Sequence, residues 1–404
     1  MKVLISAYAC EPHRGSEPEI GWQWAIHLSR HCDVTVITRS NNRESIEAEV
    51  KHLSGTRLRF VYHDLASRIL SMKSALGSVG VYLYYFLWQA KTRKLISEMV
   101  DEEEFDVLHH LTFGSYRLPF AVSTHGVPSV VGSVGGCEKF LPELMPSRPL
   151  SILWREHFRN FLTDLSCRYG IGMARYRKVD KVFASSLEMR EVFQTWGVEA
   201  EVVPQIGIER NMIDRLVEPG DSNKQGFRLL FVGNILYWKG IEIAVQVLAS
   251  LPDEVTLTFV GDGPDVEALA EVVGELGLEQ RVFMLGRKPR ADVLKLYSEY
   301  DLFFYPSVHD SGAFTVLEAM AAGLPVVCLG CGGPAISVND ECGTVVKAGS
   351  RVATISRLRD AVSAYSDNNQ MLIEKGLKAQ ARIRDDYDWE RKAIAMVDHY
   401  RDIT

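Results

Sequence analysis

The stretch from Tyr305 to Gly330, YPSVHDSGAFTVLEAMAAGLPVVCLG, contains the residues best suited to chemistry. Its pattern predicts a strand that ends at Pro306, a turn at Gly312 and a helix that begins near Thr315. The start of a helix presents N–H groups that have no intrahelical partner, together with the positive end of the helix dipole. Both attract phosphate, so we expect an anion site here that needs no cationic side chain at the turn itself.

Two carboxylates flank this predicted helix start. Asp310 precedes the helix, and Glu318 lies one turn inside it. Carboxylates accept hydrogen bonds from hydroxyl groups, so one of them fits a sugar and the other fits hydroxyls beyond the phosphates. Two solvated acids around a turn would have the same spacing, so the spacing alone leaves both interpretations open.

The elements that must position this turn follow an alternating pattern. A chain of 404 residues exceeds what one hydrophobic core usually serves, which predicts two domains. Apolar runs of strand length alternate with helical stretches, and this alternation predicts parallel sheets covered on both faces. The predicted strands are Val3–Tyr8, Val34–Thr38, Leu58–Tyr62, Val107–Leu111, Val130–Val134 and Val182–Ser185, then Leu229–Val232, Leu257–Val260, Val282–Leu285, Leu302–Tyr305 and Val326–Leu329.

A polar stretch at Glu218–Gly226 separates the two series of strands and predicts a linker, although Pro204–Gly207 is an alternative end of the first sheet. We therefore predict one domain over residues 1–210 and a second over 225–387. After Val345 the apolar period becomes helical, and a short amphipathic segment follows Tyr387.

Composition excludes several classes of function. A net charge of −7 argues against a nucleic-acid binder, which needs a positive field. Seven scattered cysteines fit a reducing compartment, and the Cys328–Cys331 pair has no second pair to complete a zinc site. The apolar run at the N-terminus is too short for a signal peptide and predicts a buried strand, so we expect a cytoplasmic protein.

The segment Gly77–Trp88, GSVGVYLYYFLW, is the most apolar of the chain and is flanked by lysines and arginines. A core helix of the first domain is the favoured interpretation. A basic amphipathic segment also fits an anionic membrane surface, so peripheral membrane contact through about residues 70–95 stays open.

The segment LEAMAAGLPVV, Leu317–Val327, resembles the hallmark of the retaining GT-B glycosyltransferases of family four, the glycosyl transferases group 1. In that family a Glu is followed by seven residues and then by a second Glu inside this segment; here Glu318 matches the second acid and Asp310 replaces the first. The resemblance implies that Glu318 binds ribose hydroxyls and that Asp310, with the backbone after it, holds the sugar. The shorter side chain shifts the carboxylate by about 1.5 Å, which predicts a different sugar or a bridging water.

A second segment, FVGNILYWKGIE from Phe231, resembles the family's glycine and basic pair that clasp the donor diphosphate. Lys239 matches the second basic position, whereas Asn234 stands where such proteins usually carry Arg and supplies only neutral donors. The loop containing Arg287 and Lys288 resembles the one that lies against the nucleotide base. The implied donor site consists of Gly15, Ser16, Gly233, Asn234, Lys239, Arg287, Asp310, Ser311, Gly312, Ala313, Phe314, Thr315, Val316 and Glu318.

In the first half, Gly15 and Ser16 stand where the family has a glycine loop near the donor diphosphate, although they also fit an ordinary helix start. His109 has the family's Asp-x-x-His spacing, which implies a catalytic position facing the cleft. The neighbouring His110 points to the opposite face of a strand, and one of the two is expected to be buried. The segment VGSVGGCE resembles a glycine turn near the acceptor, so the implied acceptor residues are His110, Gly135, Gly136 and Glu138.

Taken together, the resemblance implies an α/β protein of the GT-B fold, with two Rossmann-like domains facing each other across a cleft and a C-terminal helix at about 388–404 packed on the first. It implies retaining transfer from a UDP- or GDP-sugar to a hydroxyl of a glycan, lipid-linked or small-molecule acceptor, in cell-surface polysaccharide or glycoconjugate biosynthesis. Lys239 and the helix N–H groups would stabilise the leaving diphosphate, so no metal and no cofactor beyond the nucleotide-sugar is expected.

Three other classes share parts of this pattern. A GT-B sugar-nucleotide epimerase would share the fold but needs acid and base groups on both sides of the sugar. A two-lobed sugar-nucleotide-binding protein without catalysis would share the cleft. An oxidoreductase is poorly supported, because no GxGxxG follows a first strand.

Overall fold

The computed structural model describes residues 1–53, 55–66, 69–70, 77–123, 125–144, 150–170, 172–215, 226–310 and 312–404. The predicted linker Glu218–Gly226 lies outside the described residues except for Gly226, and Ser311 also lies outside them. No helix within the described ranges is long and apolar enough to cross a membrane.

The strands form two separate parallel sheets, as the alternating pattern predicts. Helices cover both faces of each sheet, so β-branched and aromatic side chains of the strands are buried on both faces. The strands are β1 Lys2–Ser6, β2 Asp33–Thr38, β3 Leu58–Tyr62, β4 Val107–His110, β5 Ser129–Val134, β6 Lys181–Ala184, β7 Glu201–Val202, β8 Phe227–Val232, β9 Val255–Val260, β10 Val282–Met284, β11 Leu302–Tyr305, β12 Val326–Leu329 and β13 Gly343–Val346.

Helices connect these strands and cover the sheets. They are α1 Ser16–Ser29, α2 Arg43–Val50, α3 Gly77–Glu102, α4 Leu150–Arg168, α5 Met173–Tyr176, α6 Leu187–Thr195, α7 Arg210–Arg215, α8 Ile241–Ala249, α9 Val266–Glu275, α10 Arg290–Leu296, α11 Phe314–Ala321, α12 Pro334–Ser337, α13 Arg351–Ser366, α14 Asn369–Arg382 and α15 Trp389–Arg401.

The first compact unit contains residues 1–137, 165–205 and 389–404. Its sheet has the order β3-β2-β1-β4-β5-β6-β7. The C-terminal helix α15 packs against α1 in this unit, where the rings of Trp24 and Trp389 meet edge to face at 5.4 Å. Glu390 adds an ion pair with Arg30 at 2.6 Å and a hydrogen bond with His31 at 2.7 Å.

The second unit contains residues 138–164 and 206–388, and its sheet has the order β10-β9-β8-β11-β12-β13. We predicted that residues 138–164 and 206–210 belong to the first domain, but their contacts group them with the second unit. The Tyr237 hydroxyl donates to Glu156 at 3.0 Å, and the Phe140 ring lies 5.8 Å from that of Tyr237. The sequence does not reveal this grouping, because these contacts join residues about 80 positions apart.

Helix α3 is a core helix of the first unit, as the favoured interpretation predicts, and it also has exposed apolar residues. One face buries Tyr84, Tyr85 and Trp88 in the core of the first unit. The other face leaves Tyr82 and Phe86 exposed. The segment is therefore a core helix that also presents an apolar outer face.

Candidate active site

The candidate site lies where the strand order of the second sheet reverses. β8 lies between β9 and β11, so the chain leaves β8 and β11 towards opposite sides and a crevice opens beyond their carboxyl ends. The segment 233–239 follows β8, and the segment 306–310 follows β11. These two segments therefore meet at the place where open parallel sheets bind ligands.

A tight contact joins the two segments. Gly240 has φ +72°, and a Cβ atom there would lie 1.9 Å from the carbonyl oxygen of Pro306. Only glycine fits this position, because any side chain would collide with the backbone. The Val308 N–H donates to the Trp238 carbonyl at 2.9 Å. This packing fixes Lys239 beside the loop that contains Asp310.

Asp310 is held by three donors. Lys239 Nζ lies 2.5 Å from Asp310 Oδ2, the Tyr305 hydroxyl donates to the same oxygen at 2.7 Å, and the Gly312 N–H donates to Oδ1 at 3.3 Å. Burial, and then the charge of Asp310, raise the pKa of Tyr305 well above its ordinary value, so its hydroxyl keeps the proton that it donates. These three donors fix the orientation of the Asp310 carboxylate in the turn before α11.

A glycine turn after β12 supports Asp310 from the other side. The Gly333 N–H donates to the Asp310 carbonyl at 2.9 Å. Gly332 has φ +62°, and a Cβ atom there would lie 2.1 Å from the same carbonyl. Close contacts therefore hold the backbone of Asp310 in place as well as its side chain.

Glu318 lies one turn inside α11 and is almost completely buried. Arg290 Nε and Nη2 donate to Glu318 Oε1 at 3.0 and 2.8 Å, and the Tyr297 hydroxyl donates to Oε2 at 3.1 Å. Burial raises the pKa of this carboxyl, and its bonds with Arg290 and Tyr297 offset only part of the rise. The arginine is exposed whereas the tyrosine is buried, so a polar ligand can compete for Glu318 from the side of Arg290.

The remaining predicted donor residues of this unit differ in how accessible they are to solvent. Gly312, Phe314 and Thr315 are partly accessible at the start of α11, whereas Ala313 and Val316 are buried. Asn234 is exposed, and the Gly233 N–H donates to the Val260 carbonyl at 3.0 Å. Arg287 and Lys288 are exposed in the loop after β10.

Within the first unit, Gly15 precedes α1 with φ +70°, and Ser16, the first residue of α1, has φ +54°. The adjacent Glu17 accepts the Phe113 N–H at 2.5 Å. Phe113, in the segment that follows β4, also has a positive φ of +60°. Left-handed conformations of residues other than glycine are strained and concentrate at functional sites. This glycine loop follows β1, which lies next to β4 where the strand order of the first sheet reverses.

Both histidines at the end of β4 are buried in the first unit, whereas the sequence predicted one of them on an accessible face. His109 Nδ1 lies 2.6 Å from the Tyr400 hydroxyl, and Nε2 lies 3.2 Å from the Gly132 carbonyl. Burial lowers the pKa of His109 to about 4, so the ring is neutral at pH 7. With both nitrogens occupied, the geometry favours a structural role over the catalytic one that we predicted. The reason is that helices cover both faces of a central parallel strand.

His110 and the glycine turn after β5 are less accessible than expected for acceptor contacts. His110 Nε2 lies 3.4 Å from the Tyr85 hydroxyl, and burial lowers the pKa of the ring to about 3. The Gly135 N–H donates to the Gly114 carbonyl at 2.7 Å, so it is already used. Gly136 is exposed with φ +96°, and Glu138, which is partly buried, belongs to the second unit.

Sequence reasoning missed four residues that organise these sites: Arg290, Tyr297, Tyr305 and Glu17. Tyr305 lies directly before Pro306 in the stretch already singled out, and Arg290 lies three residues after Arg287. Their types gave a signal, but the partners of the three residues in the second unit are 5 to 28 residues away, and the partner of Glu17 is 96 residues away. Among the described residues, no group of three or more His, Cys, Asp or Glu side chains forms a metal-binding cluster.

Residues 213–379 match the family model for Glycosyl transferases group 1. Among curated proteins, 2-deoxystreptamine glucosyltransferase of Streptomyces kanamyceticus is 35% identical over 130 residues, which cover 31% of this chain and 34% of that protein. D-inositol 3-phosphate glycosyltransferase of Xylanimonas cellulosilytica is 29% identical over 198 residues, covering 47% and 45%. The matched segments thus span between a third and a half of the length of these two relatives.

Solved structures resemble the chain over its full length. HepE of Anabaena in complex with UDP has a TM-score of 0.63 and 18% identity, and covers 100% of both chains. Sucrose-phosphate synthase of Thermosynechococcus elongatus has a TM-score of 0.65 and 17% identity, covering 99% of this chain and 98% of the other. Residues 213–379 therefore form a domain of the glycosyl transferases group 1 family, in a chain that has the two-domain GT-B fold.

Proposed function

We propose that this protein is a retaining glycosyltransferase that takes a sugar from a nucleotide-diphosphate sugar. One observation carries the proposal: Lys239, Asp310 and the start of α11 converge at the strand-order reversal of the second sheet. A cation and a helix N-terminus provide a seat for the diphosphate, and a fixed carboxylate beside them can accept sugar hydroxyls. The match to the glycosyl transferases group 1 supports the same assignment.

The roles of the donor-site residues follow from their contacts. The first N–H groups of α11 and Lys239 bind the diphosphate. Asp310, held by Tyr305, accepts hydroxyls of the sugar that is transferred. Glu318 accepts the ribose hydroxyls, which replace part of its contact with Arg290. Lys239 then balances the diphosphate and Asp310 at once, so donor binding loosens the ion pair of the free protein.

In the proposed reaction the bond between the anomeric carbon and the diphosphate oxygen breaks, and a bond from the acceptor oxygen forms on the same face. The acceptor proton passes to an oxygen of the leaving diphosphate. No protein nucleophile takes part. Lys239 and the helix dipole stabilise the negative charge that develops on the leaving group, and a preorganised charge of this kind is often the largest part of catalysis.

Lys239 and the helix N-terminus supply positive charge to the leaving group, and on this ground we propose a reaction that needs no divalent metal and no cofactor beyond the nucleotide-sugar. Transferase activity that persists undiminished in excess chelator would support this proposal. Activity that disappears with chelator and returns with added Mg²⁺ or Mn²⁺ would contradict it.

The donor is proposed to be a UDP- or GDP-sugar, and the acceptor a hydroxyl of a glycan, a lipid-linked sugar or a small molecule, in cell-surface polysaccharide or glycoconjugate biosynthesis. Support comes from relatives and structural neighbours: one is named for 2-deoxystreptamine, another for D-inositol 3-phosphate, and HepE binds UDP. We also propose a cytoplasmic protein with peripheral membrane contact through the exposed face of α3.

A panel of UDP- and GDP-sugars tests the proposal. At a hundred times its dissociation constant, a true donor stabilises the folded state by about 2.7 kcal/mol, which raises the melting temperature. The stabilising donor is then incubated with candidate acceptors, and we expect free nucleoside diphosphate together with a glycosylated product. An altered but intact sugar nucleotide would identify an epimerase instead, and binding without turnover on any acceptor would identify a binding protein.

A further inference from the structure

Helix α4 presents a continuous apolar face to solvent. Its large side chains recur at intervals of three and four residues, the spacing that places them on one side of a helix. A single exposed leucine or phenylalanine is ordinary, whereas a contiguous exposed set marks a contact surface. The outer apolar face consists of Leu150, 74% exposed, Trp154, 73%, Phe158, 59%, Phe161, 57%, and Leu162, 42%.

The opposite side of α4 is anchored within the second unit, so its orientation is fixed. Glu156 is only 3% exposed, accepts from the Tyr237 hydroxyl at 3.0 Å and pairs with Arg159 at 2.8 Å. Asn160 exchanges two hydrogen bonds with the backbone of Phe140, at 3.1 and 2.6 Å. These bonds hold the polar side inward and the outer apolar face outward.

Cationic side chains flank the outer apolar face. Arg155 and Arg168 are exposed, and Arg159 is partly exposed. The exposed acid of the helix, Asp164, is paired with Lys139 at 2.7 Å, which offsets its charge. Glu156 lies 3.5 Å from Arg155 and 2.8 Å from Arg159 and offsets one of these charges, so the rim of the face keeps a net positive charge that complements a negatively charged surface.

We propose that the outer apolar face of α4 docks on an anionic lipid bilayer, with the helix lying along the interface. Trp, Phe and Leu on one side and arginines beside them are the composition of helices that bind in this manner. The aromatic rings enter the boundary between headgroups and acyl chains, and the arginines contact lipid phosphates. A second copy of this chain is a poorer occupant, because it would bring one arginine rim against another. This face consists of different residues from the exposed face of α3, and the proposal does not depend on the proposed donor site.

Flotation of the full-length protein with vesicles tests the proposal. We use vesicles of phosphatidylcholine alone and of phosphatidylcholine mixed with phosphatidylglycerol. The wild type is expected to float with the anionic vesicles, and Trp154→Ser/Phe158→Ser is expected to lose roughly tenfold or more of its partition coefficient. The matched control, Ile373→Ser/Leu377→Ser, removes two exposed apolar side chains from α14 and should float like the wild type.

The fluorescence of Trp154 also reports contact with the membrane directly. It is the exposed tryptophan of the chain; Trp22, Trp24, Trp88, Trp196 and Trp389 are buried and Trp238 is intermediate. Anionic vesicles containing brominated lipid should therefore quench emission in the wild type and not in Trp154→Phe, which keeps the apolar face. Equal quenching in both proteins would contradict the proposal.

Two further outcomes would overturn it. Flotation that is lost in Tyr82→Ser/Phe86→Ser but unchanged in Trp154→Ser/Phe158→Ser would assign the membrane contact to α3 alone. A wild type that does not float, but self-associates in light scattering in a manner that Trp154→Ser/Phe158→Ser abolishes, would assign the face to a second copy. Circular dichroism of each variant establishes that the fold is retained.

Discussion

Lys239 Nζ lies 2.5 Å from Asp310 Oδ2, and both side chains are largely shielded from solvent. The pair links the segment after β8 to the segment after β11, at the carboxyl ends of neighbouring strands. At this position the lysine of the ion pair can bind a diphosphate, and the carboxylate can accept hydrogen bonds from sugar hydroxyls.

Removal of either principal donor contact should reduce activity strongly. We expect Lys239→Ala and Glu318→Ala each to lower transferase kcat/KM by more than about tenfold, equivalent to about 1.4 kcal/mol of transition-state stabilisation. Lys375→Ala is the matched control, because this lysine of the second unit donates to the Gly343 carbonyl of the edge strand β13 and faces the Tyr365 ring, away from the site. Steady-state kinetics on variants with native circular dichroism measure the effect. Unchanged activity in both site variants would remove the donor-site assignment.

The length of the side chain at position 310 should influence the choice of sugar. Asp310→Glu extends the carboxylate by about 1.5 Å towards the bound sugar, so we expect a gain or a switch in the preferred donor. Asp310→Asn keeps the length and removes the charge that pairs with Lys239, so we expect lower activity without a switch. Relative kcat/KM across the donor panel separates the two effects. Indifference of the donor profile to Asp310→Glu would argue against contact with the sugar.

Tyr305 is expected to act by positioning Asp310. Tyr305→Phe removes the 2.7 Å hydrogen bond to a charged group, a bond of a kind that contributes about 1.5–3 kcal/mol. We expect kcat to fall roughly tenfold while the KM for donor changes little, since the diphosphate contacts are retained. Tyr365→Phe removes a hydroxyl that lies 3.0 Å from Thr344 Oγ1 and should leave kcat unchanged. Equal effects of the two substitutions would indicate a general loss of stability.

His109 should influence stability more than chemistry. Burial lowers its pKa to about 4, below the ordinary value of about 6.5, so the unfolded chain takes up a proton before the native protein does. The resulting stability is present above about pH 6.5 and is lost as pH falls towards 4. His109→Gln should therefore narrow the difference in melting temperature between pH 7 and pH 5, with kcat largely retained. A collapse of kcat in a folded His109→Gln protein would restore the catalytic interpretation.

The contact of α15 with α1 gives a second pH dependence. Burial by itself raises the pKa of Glu390, but its bonds with Arg30, His27 and His31 outweigh this and leave the pKa below its ordinary value. A carboxyl of this kind stabilises the native state above the ordinary glutamate pKa of about 4.3 and loses that effect as pH falls through the lower native value. We expect Glu390→Gln to melt below the wild type at pH 7 and close to it under strongly acidic conditions. A melting-temperature gap that persists unchanged in acid would contradict the assignment.

Much of the fold follows from sequence because its signals are local. Runs such as Leu58–Tyr62 and Leu302–Tyr305 are strands with the predicted bounds, since β-branched and aromatic residues between turn residues specify them directly. The short strands β7 and β13 were missed, because two to four residues next to a helical pattern carry too little periodicity.

The candidate site was predictable only in part. The turn and the helix around 310–318 were predictable from residue types, and the roles of Asp310 and Glu318 were expected from the family resemblance. The partners of those acids were not, because Lys239 is 71 residues from Asp310 and Arg290 is 28 residues from Glu318 in the sequence. The burial of His109 was also beyond the sequence, because it depends on Tyr400, which is 291 residues away.

A crystal structure of the protein with the UDP- or GDP-sugar that stabilises it most tests the central claim directly. The diphosphate should lie against the first N–H groups of α11 and within hydrogen-bond distance of Lys239 Nζ, with the ribose at Glu318 and the sugar at Asp310. A diphosphate bound elsewhere, or a seat that stays empty in a preparation that turns over the same donor, would contradict the account.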